Sequence, residues 1–123
     1  MHEQIAQALT QDRVIDITTV GRKSGQPRRF EIWFYNIDGA IYIAGLPGTR
    51  DWYANMVAHP QITFHLKEST QADIPATVEP IIDPQARRPI LTHIAQEWGK
   101  TDHLEEWVAN GPLVRVHLAL DSL

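Results

Sequence analysis

The sequence contains no cysteine. That excludes disulfide staples and thiolate metal sites, so any stability must come from an ordinary packed core. No apolar run approaches the ~20 residues that a membrane-spanning helix needs. The first residues, MHEQIAQALTQDR, lack a basic stretch followed by an apolar one, so no secretory signal is expected and a cytoplasmic location is the default. No G-x-G-x-x-G follows a candidate strand and no G-x-x-x-x-G-K-[ST] occurs, which removes the two commonest nucleotide-binding routes. The six histidines show no metal-ligand spacing. Ser24 has no G-x-S-x-G setting, and no pair of carboxylates stands out for glycosidase-type work. Repeats, linkers and low-complexity tracts are absent as well.

What is present is one domain's worth of chain. At 123 residues it can bury roughly two-thirds of its unfolded surface, and 43% hydrophobic with 21% charged residues is an ordinary globular balance. The net charge of −4 argues against a broad nucleic-acid-binding face. Against that acidic background, TTVGRKSGQPRRF (18–30) holds four of the 11 Lys and Arg residues: Arg22, Lys23, Arg28 and Arg29. Its flanks read as strands, and Ser24, Gly25 and Pro27 mark a turn. Turn amides beside basic side chains form an anion cradle, to which the Ser24 hydroxyl adds a donor. Each hydrogen bond to a charged group contributes roughly 1.5–3 kcal/mol, so a few would hold a phosphate-bearing ligand. A solvated turn kept soluble by its charges would show the same spacing.

The remaining pattern is mixed. Short helices are expected over 2–9, 51–58 and 84–98, the last with Ile90, Leu91, Ile94, Ala95 and Trp98 on one stripe and Gly99 as its stop. Asp102 and Glu105 have capping-box spacing ahead of a final helix carrying Leu104, Trp107 and Val108. Strands are expected over 14–20, 30–37, 40–44, 62–66, 74–82 and 114–120, with a hairpin at Asp38-Gly39. About six antiparallel strands with tight hairpins and a late closing strand predict a mainly β, α+β architecture: a small barrel or strongly curved sheet.

A second stretch, GLPGTRDWYANM (45–56), follows the third strand. Gly45 and Gly48 would let backbone approach a planar ligand, and Thr49-Arg50-Asp51 resembles a helix start. Trp52 and Tyr53 could frame a ring at the helix N-terminus. Taken alone, the stretch reads more plainly as Trp52 and Met56 packing into the core one turn apart.

Taken together, G-R-K-S-G-x-P-R and W-Y-x-N, in this order and context, resemble the deazaflavin-dependent nitroreductase/quinone reductase family, with good coverage over 14–66 and only outline agreement beyond. The resemblance implies a flavin-binding split β-barrel of about six antiparallel strands with helices packed around it, spanning 1–123. It implies that Arg22, Lys23, Ser24, Arg28 and Arg29 grip the phosphate and acidic tail of coenzyme F-420. It likewise implies that Ala44, Gly45 and Gly48 lie along the ring and that Asp51, Trp52, Tyr53 and Asn55 contact the cofactor. The activity implied is hydride transfer from the cofactor to a small acceptor such as a quinone or nitro compound, with no protein nucleophile. Trp33, Tyr35 and Trp98 are the implied acceptor-pocket residues. Relatives of this fold hold FMN, FAD or haem instead, and some only bind a cofactor without turnover. The fold also occurs as homodimers. Trp33 stands where the family places a tyrosine, and the later helices offer Trp98 and Trp107 in place of tyrosines, so the acceptor stays open.

Overall fold

A computed structural model describes residues 2–48, 50–99 and 101–122. The helices are α1 (Glu3–Gln11), α2 (Asp51–Ala58), α3 (Pro84–Trp98) and α4 (Leu104–Asn110). The strands are β1 (Val14–Val20), β2 (Pro27–Trp33), β3 (Tyr35–Ile37), β4 (Ala40–Ala44), β5 (Gln61–Leu66), β6 (Ala72–Pro80) and β7 (Leu113–Leu118). All belong to one antiparallel sheet in the order β2-β1-β5-β6-β7-β4-β3.

That order carries its own proof of closure. β2 and β3 are the two outermost strands of the sheet, yet only Phe34 separates them in the chain. A single residue advances the backbone by about 3.8 Å, so the sheet must curl until its two edges nearly meet. The single strand expected over 30–37 is therefore two, which raises the count from about six to seven. Phe34 sits at the corner with its amide donating to the Arg13 carbonyl at 3.0 Å and its ring buried edge-on against Phe64. The result is a mainly β split barrel with four helices around it.

The barrel interior is filled by the alternating inward residues Ile15, Ile17, Ile43, Phe64, Ile74 and Val114, with Met56 of α2. A second apolar layer, with Tyr35, Leu91, Ile94, Ala95, Trp107 and Leu113, joins α3 and α4 to the β3–β4–β7 side. Turn chemistry agrees with the residues present: Asp38 and Gly39 both take positive φ (53° and 89°), as a tight two-residue hairpin requires. Helix α3 begins on Asp83, whose carboxylate accepts from the Gln85 amide, and stops at Gly99 in the left-handed region.

One expected cap does not form. Thr101–His103 is a 3-10 turn, and α4 starts after His103 with no side-chain cap. The Glu105 carboxylate is bound instead by Arg88 at 2.5 and 3.0 Å, which outcompetes a return bond to the backbone. At the other end of α4, the buried Arg87 guanidinium donates to the carbonyls of Trp107, Val108 and Gly111, and also to Ile81. It ties α3 to the C-terminal carbonyls of α4, a favourable place for a cation.

Candidate functional site

The segment from Gly21 to Gln26 folds back on itself. Gly21 and Gln26 share a backbone bond of 2.9 Å, the Gly25 amide donates to Gly21, and Ser24 Oγ accepts from the Gln26 amide at 3.1 Å. Gly25 takes φ 70°, which explains the glycine there. The Arg22 amide donates to Asn55 Oδ1 at 3.0 Å. Four of the turn's six amides are thus consumed, three within the turn and one by Asn55, and only those of Lys23 and Ser24 make no hydrogen bond among the described residues. The anion cradle expected from successive amides is narrower than the turn suggests, and side chains must supply the rest.

Those side chains converge. Gly21, Arg22, Lys23, Ser24, Arg28, Asp51 and Asn55 line one cavity of about 220 Å³. Asn55 is buried on α2, and its Oδ1 accepts from both the Arg22 amide and Arg22 Nη1, each at 3.0 Å. Arg22 Nη2 reaches Asp51 at 3.4 Å. Arg22 is therefore the strut that locks the turn to α2, while Lys23 and Arg28 are in no ion pair among the described residues. Three cations face a single carboxylate, so the cavity is electropositive on an acidic body. A Cβ placed on Gly21 would stand 2.5 Å from Ser24 Oγ and 3.3 Å from Arg28 Nε. The floor of the cradle exists because residue 21 has no side chain.

Arg29 lies elsewhere. Neighbouring residues on a strand face opposite ways, so Arg28 enters the cavity while Arg29 stands on the outer face and pairs with Asp16 at 3.0 Å. Lys67 completes that outer ladder, at 2.7 Å from Asp16 and 2.5 Å from Glu31. The Lys67 ammonium, with Arg29, holds the Asp16 carboxyl below its ordinary range.

A second, apolar cavity of about 320 Å³ is lined by Ile32, Trp33, Ala44 and Trp98. Trp33 and Trp98 meet edge to face at 6.2 Å, and Trp98 also contacts Trp107 at 5.6 Å. Tyr35 lies behind this wall, 2% exposed; burial pushes its hydroxyl up to about 12. Both the Tyr35 hydroxyl and the Trp98 indole nitrogen are buried without a hydrogen-bond partner among the described residues. Arg13 stacks over the rings of Trp33 and Tyr35 at 5.9 and 5.7 Å and is held at 2.6 Å by Glu97, the residue before Trp98. Nothing in the sequence pattern marked Arg13 or Ile32 for this wall, because their partners lie far along the chain.

The glycine loop divides. Gly45 is needed by the fold itself: a Cβ there would meet Trp52 at 3.1 Å and Pro112 at 3.2 Å. Trp52 packs on the barrel core, as the plainer reading of that residue had it. Gly48 and Tyr53 line a third cavity, of about 500 Å³, beside Arg87, Ile82 and the end of α4. Thr49, part of the expected helix start, lies outside the described residues; Arg50 occupies the position before α2 without a side-chain cap.

The polar and aromatic cavities share β2. Arg28 and Ile32 lie on the same face of that strand, four residues or about 13 Å apart. The sequence model of the F420H(2)-dependent quinone reductase family matches residues 2–117. The fold is similar to a conserved hypothetical protein of Mycobacterium tuberculosis (TM-score 0.73, 19% identity, 97% of this chain and 81% of that one). It is also similar to a FAD-binding protein of Mesorhizobium loti (0.69, 20%, 97% and 88%) and to an F420 reductase (0.66, 16%, 92% and 91%).

Proposed function

The chain belongs to the F420H(2)-dependent quinone reductase family, a family of oxidoreductases, and on that premise we propose that it moves a hydride from reduced F-420 to a small planar acceptor such as a quinone. The observation that carries the reading is the cavity built by Arg22, Lys23, Ser24, Arg28 and Asn55. Its donor set fits a phosphate: two cations in no ion pair, a hydroxyl free to donate, and a floor opened by Gly21. F-420, when bound, supplies the hydride chemistry. The protein's part is to bind, orient and keep water out.

Each residue's role follows from its position. Asn55 fixes Arg22 and with it the turn, so the cradle is preorganised and loses little freedom on binding. Lys23 and Arg28 provide charge-assisted contacts to the anionic end. The inner face of β2, from Arg28 to Ile32, leads to the cavity where Ala44 and Ile32 present apolar surface. There Trp33 and Trp98 offer ring faces and edges to an aromatic acceptor. Arg13, anchored by Glu97, holds that wall in place.

FMN or FAD would use the same phosphate contacts and is the nearest variant. Haem fits less well, because no histidine lines the polar or the aromatic cavity to serve as an axial ligand. The deciding experiment titrates the protein with F-420, FMN, FAD and haem in parallel, following fluorescence or absorbance, then adds menadione to the F-420H2 complex. Tight F-420 binding with acceptor-dependent oxidation is expected. Binding without turnover across a quinone panel would convert the protein into a cofactor carrier, and no binding of F-420 or a flavin would end the proposal.

A further inference from the structure

The outer face of the sheet, turned away from the cradle, carries three side chains in a connected row. Thr18 Oγ1 lies 2.7 Å from His65 Nε2, and His65 Nδ1 lies 2.7 Å from Asp73 Oδ1. Strand register produces the row. His65 is directly across from Asp73 in the β5–β6 pair and from Asp16 in the β1–β5 pair, and Thr18 is two residues further along β1 on the same face. A carboxylate only accepts, so the proton of the neutral ring sits on Nδ1. Nε2 is then left to accept the proton of the Thr18 hydroxyl. The imidazole is 6% exposed and held from both sides, so its orientation is set before any ligand arrives. Thr18 opens onto a cavity of about 440 Å³ with Val20, Gln61, Thr63, Pro75 and Thr77 on its walls. The neighbouring Arg29–Asp16–Lys67–Glu31 ladder has no such hydroxyl, so the reactive geometry is confined to this row.

We propose that Thr18, His65 and Asp73 form a second reactive centre, which takes the acyl group of small activated esters and passes it to water. Thr18 Oγ bonds to the acyl carbon while its proton moves to His65 Nε2. The ester C–O bond then breaks, and the leaving alcohol or phenol departs with that proton. Water next attacks the acyl-threonine with its proton going to Nε2. The carboxylic acid leaves, and Thr18 recovers its proton from the ring. Asp73 holds the ring and stabilises its cationic form. Backbone amides within the sheet are committed to strand pairing, so donors for the developing oxyanion must be side chains. Thr63, cross-strand from Thr18, the Gln61 amide and the Thr77 hydroxyl across from Gln61 are the donors on this cavity. That support is modest, which restricts the site to esters with good leaving groups. The apolar Val20, Pro75 and Ala119 suit a short acyl chain.

The test uses the full chain with p-nitrophenyl acetate, reading nitrophenolate release together with intact mass and peptide mapping. With no cysteine present, no thiol competes for the acetyl group. An acetyl adduct on Thr18 is expected, with hydrolysis lowered on the order of 10²-fold in His65→Gln. Asp73→Asn should lower it by about tenfold, because that carboxylate is 75% exposed and solvent screens it. Thr18→Val should abolish the adduct, and Thr18→Ser should retain it, which covers the case in which valine disturbs the sheet. Circular dichroism and thermal unfolding check that each variant is folded. Adducts on lysines alone, or a rate unchanged in folded His65→Gln, would overturn the proposal, and neither result bears on F-420 binding.

Discussion

The polar cradle and the tryptophan-walled cavity lie at two ends of one strand and are built by opposite means. In the cradle, a tight turn contributes Gly21, Arg22, Lys23 and Ser24, with Arg28 two residues after it, and α2 adds only Asp51 and Asn55. Its geometry is held by hydrogen bonds with defined partners. In the aromatic cavity, Ile32 and Trp33 come from β2, Ala44 from β4 and Trp98 from the end of α3. There the geometry is held by ring packing and by the Arg13–Glu97 ion pair that links the start of β1 to α3. A cradle fixed by hydrogen bonds is specific and brittle. A wall fixed by packing can re-pack around ligands of varied shape.

The sharpest way to break this contrast is to remove Asn55. Asn55→Leu leaves the Arg22 amide and its partly exposed guanidinium without their shared acceptor on the buried face of α2. Such a loss costs about 1–3 kcal/mol of stability. F-420 affinity should fall by at least tenfold, measured by fluorescence titration alongside urea unfolding. Gly21→Ala should come next: its methyl would press on Ser24 Oγ, so F-420 affinity should drop several-fold with acceptor KM little changed.

Charge removal separates the two faces of β2. Lys23→Ala and Arg28→Ala should each weaken F-420 binding by roughly tenfold, about 1.4 kcal/mol, while Arg29→Ala should leave it within twofold. Equal losses in Arg28→Ala and Arg29→Ala would mean that a diffuse field, not the cradle, binds the cofactor; rising salt would then erase both. At the other end of the strand, Trp33→Ala should raise the KM for menadione several-fold and leave the F-420 Kd unaltered.

The smallest expected effect is electrostatic and lies on the outer face. Because Lys67 and Arg29 hold the Asp16 carboxyl below its unfolded value, the unfolded chain binds the extra proton first as the pH falls. The stabilisation is therefore complete above the ordinary carboxylate range and is lost as pH drops through the lowered folded value. Asp16→Asn should flatten that part of the stability–pH curve by about 1 kcal/mol or less, seen by urea unfolding at a series of acidic pH values.

Much of this was readable along the chain because the relevant forces act between near neighbours. Alternating β-branched residues, the Asp38-Gly39 turn, the Asp83–Gly99 bounds of α3 and the clustering of Arg22, Lys23, Ser24 and Arg28 are all local statements. Even the opposite fates of Arg28 and Arg29 follow from strand alternation once β2 is recognised. What local pattern could not supply was any pairing whose members lie far apart. The break at Phe34 depends on the sheet closing on itself. The Arg13 stack over Trp33 and Tyr35, the capture of Glu105 by Arg88 and the Thr18–His65–Asp73 row depend on which strands and helices become neighbours. Residues alone determined where charge, turns and apolar faces would fall, since those depend on chemistry within a few positions. Only the closed barrel decided which of them would meet, because burying both apolar layers at once fixes the register of seven strands together.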